Sequence, residues 1–462
     1  MSDAEEVKIS LKVMINKEKT KVLFAESNGD FIDVLLSILA LPLGRIVKIL
    51  DKHYGAEGTP VIGCLNTFYN SVSNLDSSHF WTKDSKHILL NPISSFDTDC
   101  RRLKLDISTD CRLEYLFCER CSKLTFTGLQ IYNRRRSCDC GFVIKRDASQ
   151  KLSQADCSDG VFTINTATFI ISDDLQIVSD ATGLVKTLSI LNIPGTEGAE
   201  FVNVNFGLDE IVNLFRASMT SQSPLSDVLL NKTGQMNSIE VGFELGTKLD
   251  HVENEENPNS TNKVILKITV QKSTNKLLFA HAKKDFVEFL FSLFVVPLGG
   301  VEWLLSSKSS IKSIDNLYKS ISYLKDEYHF NSSCIKNRLI KPNLPYGCTS
   351  TNHILPLTEE ESSLDGYEDI SSFLHIIFPQ GQGKYIKGPR TYQVMDDLTV
   401  IPFYVSSILC SLNEQMISLS DLKEVEIEIG LKEALSILKA SLISNSALTN
   451  GLLNNKQPEQ DT

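Results

Sequence analysis

The chain has 462 residues, of which 42% are hydrophobic and 22% are charged. These fractions are those of an ordinary globular protein, and they exclude collagen-like, coiled-coil and wholly disordered chains. Lys and Arg number 46 against 57 Asp and Glu, and the resulting net charge of −11 argues against a protein that is basic over its whole surface and binds nucleic acid or membranes by charge. The 11 cysteines are few for this length, so we do not expect a disulfide scaffold.

The first fifty residues predict a β-hairpin followed by a helix. Apolar residues alternate with mostly polar ones from Val7 to Ile15, which indicates a half-buried strand, and a second strand begins at Lys21 after a polar turn. Asp30 is expected to cap the following helix, whose apolar residues recur at helical spacing. We expect the helix to end at Leu-Pro-Leu-Gly, residues 41–44, because proline restricts the residue before it and glycine permits a turn.

Four cysteines have the spacing of a metal site. Cys118 and Cys121 form a C-x₂-C pair, and Cys138 and Cys140 form a C-x-C pair that glycine follows. Zinc prefers four thiolates in a tetrahedron, so we predict a structural zinc site on these residues, with no open position for water. Zinc binding in a short loop with little core would supply on the order of 10 kcal/mol of folding free energy. The alternative is that the four are free thiols, because C-x-C is less diagnostic than a second C-x₂-C.

The segment around these cysteines is basic, unlike the rest of the chain. Residues 101–151 contain 12 Lys and Arg against 6 Asp and Glu, and Arg134, Arg135 and Arg136 are consecutive. One interpretation is contact with phosphate or nucleic acid, in which the three arginines neutralise backbone charge. The alternative is that the positive charge offsets the cysteine thiolates and keeps an exposed loop solvated.

Two pairs of adjacent aspartates, at 173–174 and 396–397, each lie between two short predicted strands. Paired carboxylates would suit general acid–base or metal chemistry. Adjacent residues of a strand point to opposite faces, however, and aspartate commonly hydrogen-bonds to the backbone of its own turn. We therefore favour a turn at both places. His79 and His329 occupy equivalent positions, each before a Phe, and we interpret them as structural.

The chain contains an internal repeat. Leu11–Leu50 aligns without a gap to Leu266–Leu305, a shift of 255 residues, with 15 identical pairs in 40 positions. Gly160–Asn231 aligns to Gly383–Asn454 at a shift of 223. The smaller second shift indicates an insertion of about 30 residues in the first half, which is the cysteine-rich stretch. Strands and helices are clustered rather than strictly alternating, so we predict an α+β fold.

The repeat predicts how the chain is divided. We expect a first repeat over residues 1–235 with the insertion at about 111–145, an acidic polar linker over 236–263, a second repeat over 264–455 and a disordered tail over 456–462. Each repeat would consist of a β-hairpin and helix followed by a strand–strand–helix unit, with a small zinc-ribbon-like insertion in the first. The sequence leaves open whether the two repeats form separate domains or share one core.

Several long segments together resemble a family. These are KVLFAESNGDFIDVLLSILALPLG at residues 21–44, the cysteine insertion, the Asp-Asp-Leu blocks and EALSILKASLISNSALTNGL at residues 433–452. They resemble the plant family catalogued as domain of unknown function 674, and the resemblance covers nearly the whole chain. It implies a plant protein and paired cysteines, which match Cys118, Cys121, Cys138 and Cys140 here. It supplies no catalytic residues.

The N-terminus and the apolar segments give an expectation for location. MSDAEEVKIS lacks a positive segment followed by an apolar run, and the most apolar stretch, residues 286–298, is too short to span a bilayer. We expect a cytoplasmic and/or nuclear protein that does not bind membranes.

The motifs for common enzyme classes are missing from the sequence. There is no G-x-S-x-G or H-E-x-x-H motif, and GQGK at residues 381–384 lacks the spacing of a phosphate loop. We predict no catalytic residues, and no cofactor besides structural zinc. Our first hypothesis is a non-enzymatic interaction or scaffold protein with a protein partner still to be identified. The alternatives are a nucleic-acid-associated zinc protein that uses the basic insertion, or an enzyme of unrecognised type with a polar cleft between the repeats.

Overall fold

Two antiparallel sheets of five strands, with helices packed against them, form the body of the protein in a computed structural model. The structure describes residues 7–55, 58–81, 83–108, 115–117, 124–126, 160–193, 195–230, 263–345, 348, 353–359 and 385–453. The predicted α+β class is confirmed. None of the helices in these ranges is long and apolar enough to cross a membrane.

The strands, in chain order, are β1 (Ile9–Ile15), β2 (Val22–Ser27), β3 (Tyr115–Phe117), β4 (Leu124–Phe126), β5 (Phe169–Ser172), β6 (Ile177–Ser179), β7 (Glu200–Phe206), β8 (Val264–Gln271), β9 (Leu277–Lys283), β10 (Thr391–Met395), β11 (Val400–Pro402) and β12 (Leu422–Ile429). The first sheet has the order β6-β5-β2-β1-β7, and the second has the order β11-β10-β9-β8-β12. Both sheets therefore follow the same topology. Strands β3 and β4 pair with each other, separately from both sheets.

The α-helices, in chain order, are α1 (Gly29–Leu39), α2 (Leu43–Tyr54), α3 (Leu65–Asn74), α4 (Lys83–Leu90), α5 (Asp97–Cys100), α6 (Leu184–Ile190), α7 (Leu208–Thr220), α8 (Pro224–Leu230), α9 (Lys284–Ser292), α10 (Leu298–Leu304), α11 (Lys312–Tyr323), α12 (Asp326–His329), α13 (Ser333–Ile340), α14 (Val405–Glu414) and α15 (Leu431–Ile443). Four 3₁₀ turns and a terminal π-turn complete the described elements, at Ser77–His79, Asp180–Thr182, Leu293–Val295, Leu419–Asp421 and Thr449–Leu453.

The first hairpin follows directly from its sequence. In β1 the apolar residues at every second position, from Ile9 to Ile15, are buried, while Ser10 and Lys12 between them are exposed. The side chain of Asn16 closes the turn by accepting the backbone N–H groups of Thr20 and Lys21, each at 2.9 Å. A period of two thus gives one apolar face, and the turn sets the pairing of β1 with β2.

Helix α1 is buried on nearly every side. Every residue from Phe31 to Leu39 is buried, and the helix contacts α10 and α11 from the second half of the chain. Its N-cap is Asn28, while Asp30 lies inside the first turn, where a carboxylate also suits the positive end of the helix. The predicted cap was therefore wrong by two residues, although the helix and its end near Pro42 were predicted correctly.

The two halves meet at Pro42, which follows α1, and at the equivalent Pro297, which follows α9 and a 3₁₀ turn. Pro42 and Pro297 form an antiparallel bridge. The Leu43 N–H donates to Val296 O at 3.0 Å, and the Leu298 N–H donates to Leu41 O at 2.9 Å. The two connections therefore hold each other by a reciprocal pair of backbone hydrogen bonds at the centre of the molecule.

A single cluster of buried apolar residues extends from Ile9 to Leu452 and includes both halves. At its centre Phe68 of α3 stacks on Phe294, with ring centroids 4.2 Å apart and planes at 19°. Within the described residues the halves thus share one core.

Each half extends a helix onto the other half. Helix α3 contacts β11, and α11 contacts β6 and α7. The Cys64 thiol donates to Ser444 O at 2.7 Å, and at the equivalent positions the Ser313 hydroxyl donates to Ser221 O at 3.3 Å. Such matched contacts mean that neither sheet is packed by its own half alone.

Candidate functional site

The residues that the sequence predicts for a zinc site or for an anion contact lie outside the described part of the chain. These are Cys118, Cys121, Cys138 and Cys140, with Arg134, Arg135 and Arg136. In the ranges that the structure describes, no group of three or more His, Cys, Asp or Glu side chains could hold a metal ion. Free cysteines there include the exposed Cys334 and Cys410.

A polar cavity of about 170 Å³ lies at the start of α1. Its lining residues all belong to the first half of the chain: Asp30, Asp33, Arg102, Leu103, Lys104, Gly160, Val161 and Asn165. This volume is below the roughly 300 Å³ at which pockets for drug-sized ligands usually begin. Apart from Asp30 and Asp33 of α1, the lining lies at residues 102–104 and 160–165, on either side of the segment that holds the predicted zinc site.

Asp33 is the buried acid of this cavity, with only 2% of its surface exposed. Its carboxylate accepts backbone N–H groups from Val161 at 2.5 Å, Phe162 at 3.1 Å and Thr163 at 2.7 Å, and the Thr163 hydroxyl at 2.8 Å. Burial raises the pKa of Asp33 to about 6, although these hydrogen bonds act in the opposite direction. The carboxylate thus fastens the segment at 161–163 to the middle of α1.

The second half contains the same device. Glu288 of α9 aligns with Asp33 in the repeat, is 3% exposed, and accepts the backbone N–H groups of Tyr385 at 2.5 Å and Ile386 at 2.9 Å. Our sequence reasoning missed both acids. The available signal was an acidic residue at the same place in two otherwise apolar helices, in FIDVLL and FVEFLF.

The rim of the cavity carries charges of both signs. Lys104 forms an ion pair with Asp30 at 3.3 Å, and the Asn28 amide also donates to Asp30. Arg102 is exposed at the same rim. Opposite charges at this short range offset one another, so the cavity has no dominant sign that would select either an anion or a cation.

Gly160 lines the cavity at a position with no room for a side chain unless the neighbouring atoms shift. A Cβ at this position would lie 2.2 Å from Thr163 O and 2.9 Å from the Asp33 carboxylate. The carbonyl of Gly160 accepts a hydrogen bond from the Asn331 side chain, which belongs to the second half. The chain that follows the insertion is therefore held at Gly160 by both halves.

The aspartate pairs lie in turns, and Asp397 accepts the backbone N–H of Thr399 in its own turn at 3.0 Å, as predicted. The first aspartate of each pair instead holds distant backbone. Asp173 accepts the N–H of Ser226 at 2.8 Å and its hydroxyl at 2.7 Å, and Asp396 accepts the N–H of Thr449 at 2.8 Å and its hydroxyl at 2.9 Å. The prediction that Asp173 lies in a turn is confirmed, since Leu175 takes a left-handed conformation in the turn between β5 and β6. The bonding partner of Asp173 is not its own turn, however, but a residue 53 positions away.

The two repeat-related histidines are also structural. The imidazole of His79 contacts the Tyr392 hydroxyl at 3.2 Å, and that of His329 contacts the Ser179 hydroxyl at 2.7 Å. The carbonyl of His79 accepts the N–H of Lys387 at 2.9 Å, and the carbonyl of His329 accepts the N–H of Ile164 at 3.0 Å. The neighbouring Phe80 and Phe330 form β-bridges to the same segments of the opposite half. The segment that Asp33 binds from one side is thus held by the second half from the other.

The buried acid Glu302 differs from these. Glu302 of α10 is fully buried, and its carboxyl group lies beside the side chains of Asp315 and Ser309. Burial, followed by the neighbouring carboxylate of Asp315, raises its pKa well above the ordinary value. Asp315 itself accepts the N–H and the hydroxyl of Ser309. The raised pKa of Glu302 is thus a consequence of its position in the packed core.

The geometry defines a protein with two sheets of equal topology around one core, in which the repeat-related buried acids Asp33 and Glu288 bind backbone N–H groups rather than converge on a reacting atom. A family model described as "Protein of unknown function (DUF674)" matches residues 5–432. The chain belongs to this family. Comparisons with curated proteins and with solved structures give no significant match.

Proposed function

We propose that the protein is a non-enzymatic interaction protein, in which a rigid body of two repeats presents the cysteine-rich insertion to a protein partner. The repeats would span residues 1–235 and 264–455, joined by the linker at 236–263. The observation that carries this proposal is that the chain before the insertion and the chain after it are anchored to the same helix, α1. Lys104, before the insertion, pairs with Asp30 of α1, and Val161 to Thr163, after it, are bound by Asp33 of the same helix.

This anchoring supports a presented module because it fixes where the insertion leaves the body. The bonds of Asp33 are buried and those of Asn331 come from the other half, so the returning end is tied to the shared core. A loop positioned by a rigid scaffold is a common arrangement for binding sites. The buried carboxylates are occupied by backbone donors, which suits holding rather than proton transfer.

Within this proposal the insertion is a zinc module on Cys118, Cys121, Cys138 and Cys140. Four thiolates would neutralise and exceed the charge of Zn²⁺, and the excess of basic residues around them would compensate. Metal analysis of the purified protein is expected to give about one equivalent of zinc, which the double substitution Cys118→Ser, Cys121→Ser removes. A matched control, Cys334→Ser with Cys410→Ser, alters two exposed cysteines and is expected to leave the zinc content unchanged.

The interaction itself is tested by isolating complexes of the wild-type protein and the zinc-site variant from the cells in which the protein is native. We expect a stoichiometric partner that the wild type retains and the Cys118→Ser, Cys121→Ser variant loses, while the thermal midpoint of the body stays the same. A partner retained equally by both would exclude the insertion as the contact. Turnover of a metabolite by the purified protein would contradict a non-enzymatic function.

A second candidate is nucleic-acid binding, favoured by the net positive charge of residues 101–151. In that case affinity would fall with increasing salt, and substitution of Arg134, Arg135 and Arg136 by Ala would reduce the slope of log K against log salt by up to about 3. Three lysines of the second half provide the control: the exposed Lys263 and Lys423 and the half-buried Lys267. Absence of binding at low salt would eliminate this candidate.

A further inference from the structure

Strand β7 forms one edge of the first sheet. Its single neighbour among the described strands is β1, with which it pairs from Ile9 opposite Phe206 to Ile15 opposite Glu200. In an edge strand, every second residue directs its N–H and C=O away from the sheet. An open edge of seven residues is a template for another strand unless side chains prevent pairing.

The side chains of β7 do not prevent it. No residue from Phe201 to Phe206 carries a charge. Phe201 and Val202 are 46% and 41% exposed, so the strand also presents apolar surface at its edge. Asn203 and Asn205, both exposed, provide hydrogen-bonding groups beside them.

The equivalent edge of the second sheet is different in this one respect. Strand β12 places Glu424, Glu426 and Glu428 where β7 has Phe201, Asn203 and Asn205. All three glutamates are exposed, and exposed charges along an edge are a known means of blocking strand addition. The two sheets share their topology, but only β12 carries this protection.

We propose that β7 pairs antiparallel with β7 of a second copy of this chain, so that two five-stranded sheets join into one of ten strands. A twofold axis at Asn203 places this residue opposite itself and Glu200 of each copy opposite Phe206 of the other. The two Glu200 side chains are then about 20 Å apart, at about 3.4 Å per residue. That separation exceeds the Debye length of about 8 Å at physiological salt, so no like charges oppose the pairing.

A second copy is the occupant that the charges favour. Pairing of β7 with β12 would cover glutamates with uncharged residues and gain no opposite charge. Pairing of β12 with itself about Glu426 would set Glu426 against Glu426 and Glu424 against Glu428. Only the β7 pair joins two uncharged edges, and it covers the exposed surface of Phe201 and Val202 in both copies at once.

The test is the mass of the full-length protein by sedimentation equilibrium between about 1 and 100 µM, which corresponds to binding free energies of roughly −8 to −5.5 kcal/mol. We expect the wild type to change from monomer to dimer in this range. The variant Asn203→Glu, Asn205→Glu reproduces the side chains that β12 already carries, so it is expected to fold and to stay monomeric. The control Ser406→Glu, Ser407→Glu adds the same charge at exposed positions of α14 and is expected to dimerise like the wild type.

Mixing variants shows whether the strands are in direct contact. Asn203→Lys, Asn205→Lys is also expected to be monomeric alone, and an equimolar mixture with the glutamate variant is expected to recover the dimer, because Lys then faces Glu at position 203. A wild type that stays monomeric would overturn the proposal, even if it bound an extended peptide instead. So would a dimer that the Asn203→Glu, Asn205→Glu variant retains, one that the Ser406→Glu, Ser407→Glu control loses, or a mixture that stays monomeric.

Discussion

Replacing Asp33 tests whether this buried acid holds the chain together through backbone donors. Asp33→Leu removes the acceptor of three backbone N–H groups, those of Val161, Phe162 and Thr163. A buried N–H left without a partner costs about 1 to 3 kcal/mol, so the free energy of unfolding should fall by at least about 3 kcal/mol. That is a large part of the total stability of about 5 to 15 kcal/mol that is typical of a folded domain.

Asp33→Asn is the matched substitution because it preserves the shape of the side chain and one acceptor oxygen. The retained oxygen can still accept from Phe162 and Thr163, while the amide group now meets the N–H of Val161. The loss of one hydrogen bond is partly offset because no charge is buried. We therefore expect a loss of no more than about 1 to 2 kcal/mol at pH 7.

The pH dependence of these variants has a definite sign. Because burial raises the pKa of Asp33 from 3.8 to about 6, the folded state favours the protonated acid. The stability that this group contributes is fully present below about pH 4 and is lost as the pH rises through about 6. The free energy of unfolding of wild type should thus decline from pH 4 to 7 by more than that of Asp33→Asn, in which the side chain does not titrate.

Urea unfolding at pH 4.5, 6 and 7.5, followed by tryptophan fluorescence, measures these differences, since Trp81 and Trp303 report on each half. Hydrogen exchange should also quicken at the amides of residues 161–163 in Asp33→Leu, while the amides of Tyr385 and Ile386, which Glu288 binds, stay protected. Equal losses in Asp33→Leu and Asp33→Asn, or a loss below about 1 kcal/mol in Asp33→Leu, would refute the reasoning.

Two further predictions concern other buried charges. Arg45 is fully buried and binds Asp97 and Pro92 O, so Arg45→Met should lower the free energy of unfolding in urea by about 3 to 5 kcal/mol. The double variant Arg45→Met, Asp97→Asn should recover part of that loss, because it no longer leaves a carboxylate without its partner. No recovery would show that the ion pair is not the cause. Because the pKa of Glu302 is raised, its contribution to stability is lost as the pH rises through the folded-state value, so Glu302→Gln should be more stable than wild type at pH 8 and differ less at pH 5. The exposed Glu414→Gln should show neither effect, and a Glu302→Gln protein that is less stable at pH 8 would count against a protonated acid.

Local features of the fold could be predicted from the sequence because they depend on neighbouring residues. The alternation from Ile9 to Ile15 determines which face of β1 is buried, and the proline at position 42 ends α1 whatever the rest of the chain does. The α+β class follows from the clustering of such elements. These predictions required no knowledge of which segments meet.

The acid sites could not be predicted because their partners are distant in the chain. Asp33 meets residues 128 to 130 positions away, and Asp173 meets one 53 positions away. An alignment of the repeats shows that Asp33 and Glu288 correspond, but it does not show what either accepts. The shared core could not be predicted for a similar reason. The sequence does not show whether α3 and α11 pack on their own half or on the other one.

The exchange of helices between the halves has a consequence for synthesis of the chain. The thiol of Cys64 and its acceptor at Ser444 are 380 residues apart, so α3 leaves the ribosome long before its docking surface exists. At about 5 to 20 residues per second, the delay is about 20 to 75 s. During that time the apolar face of α3 around Phe68 needs temporary cover, and a nascent chain halted near the linker should be a chaperone client rather than a finished half.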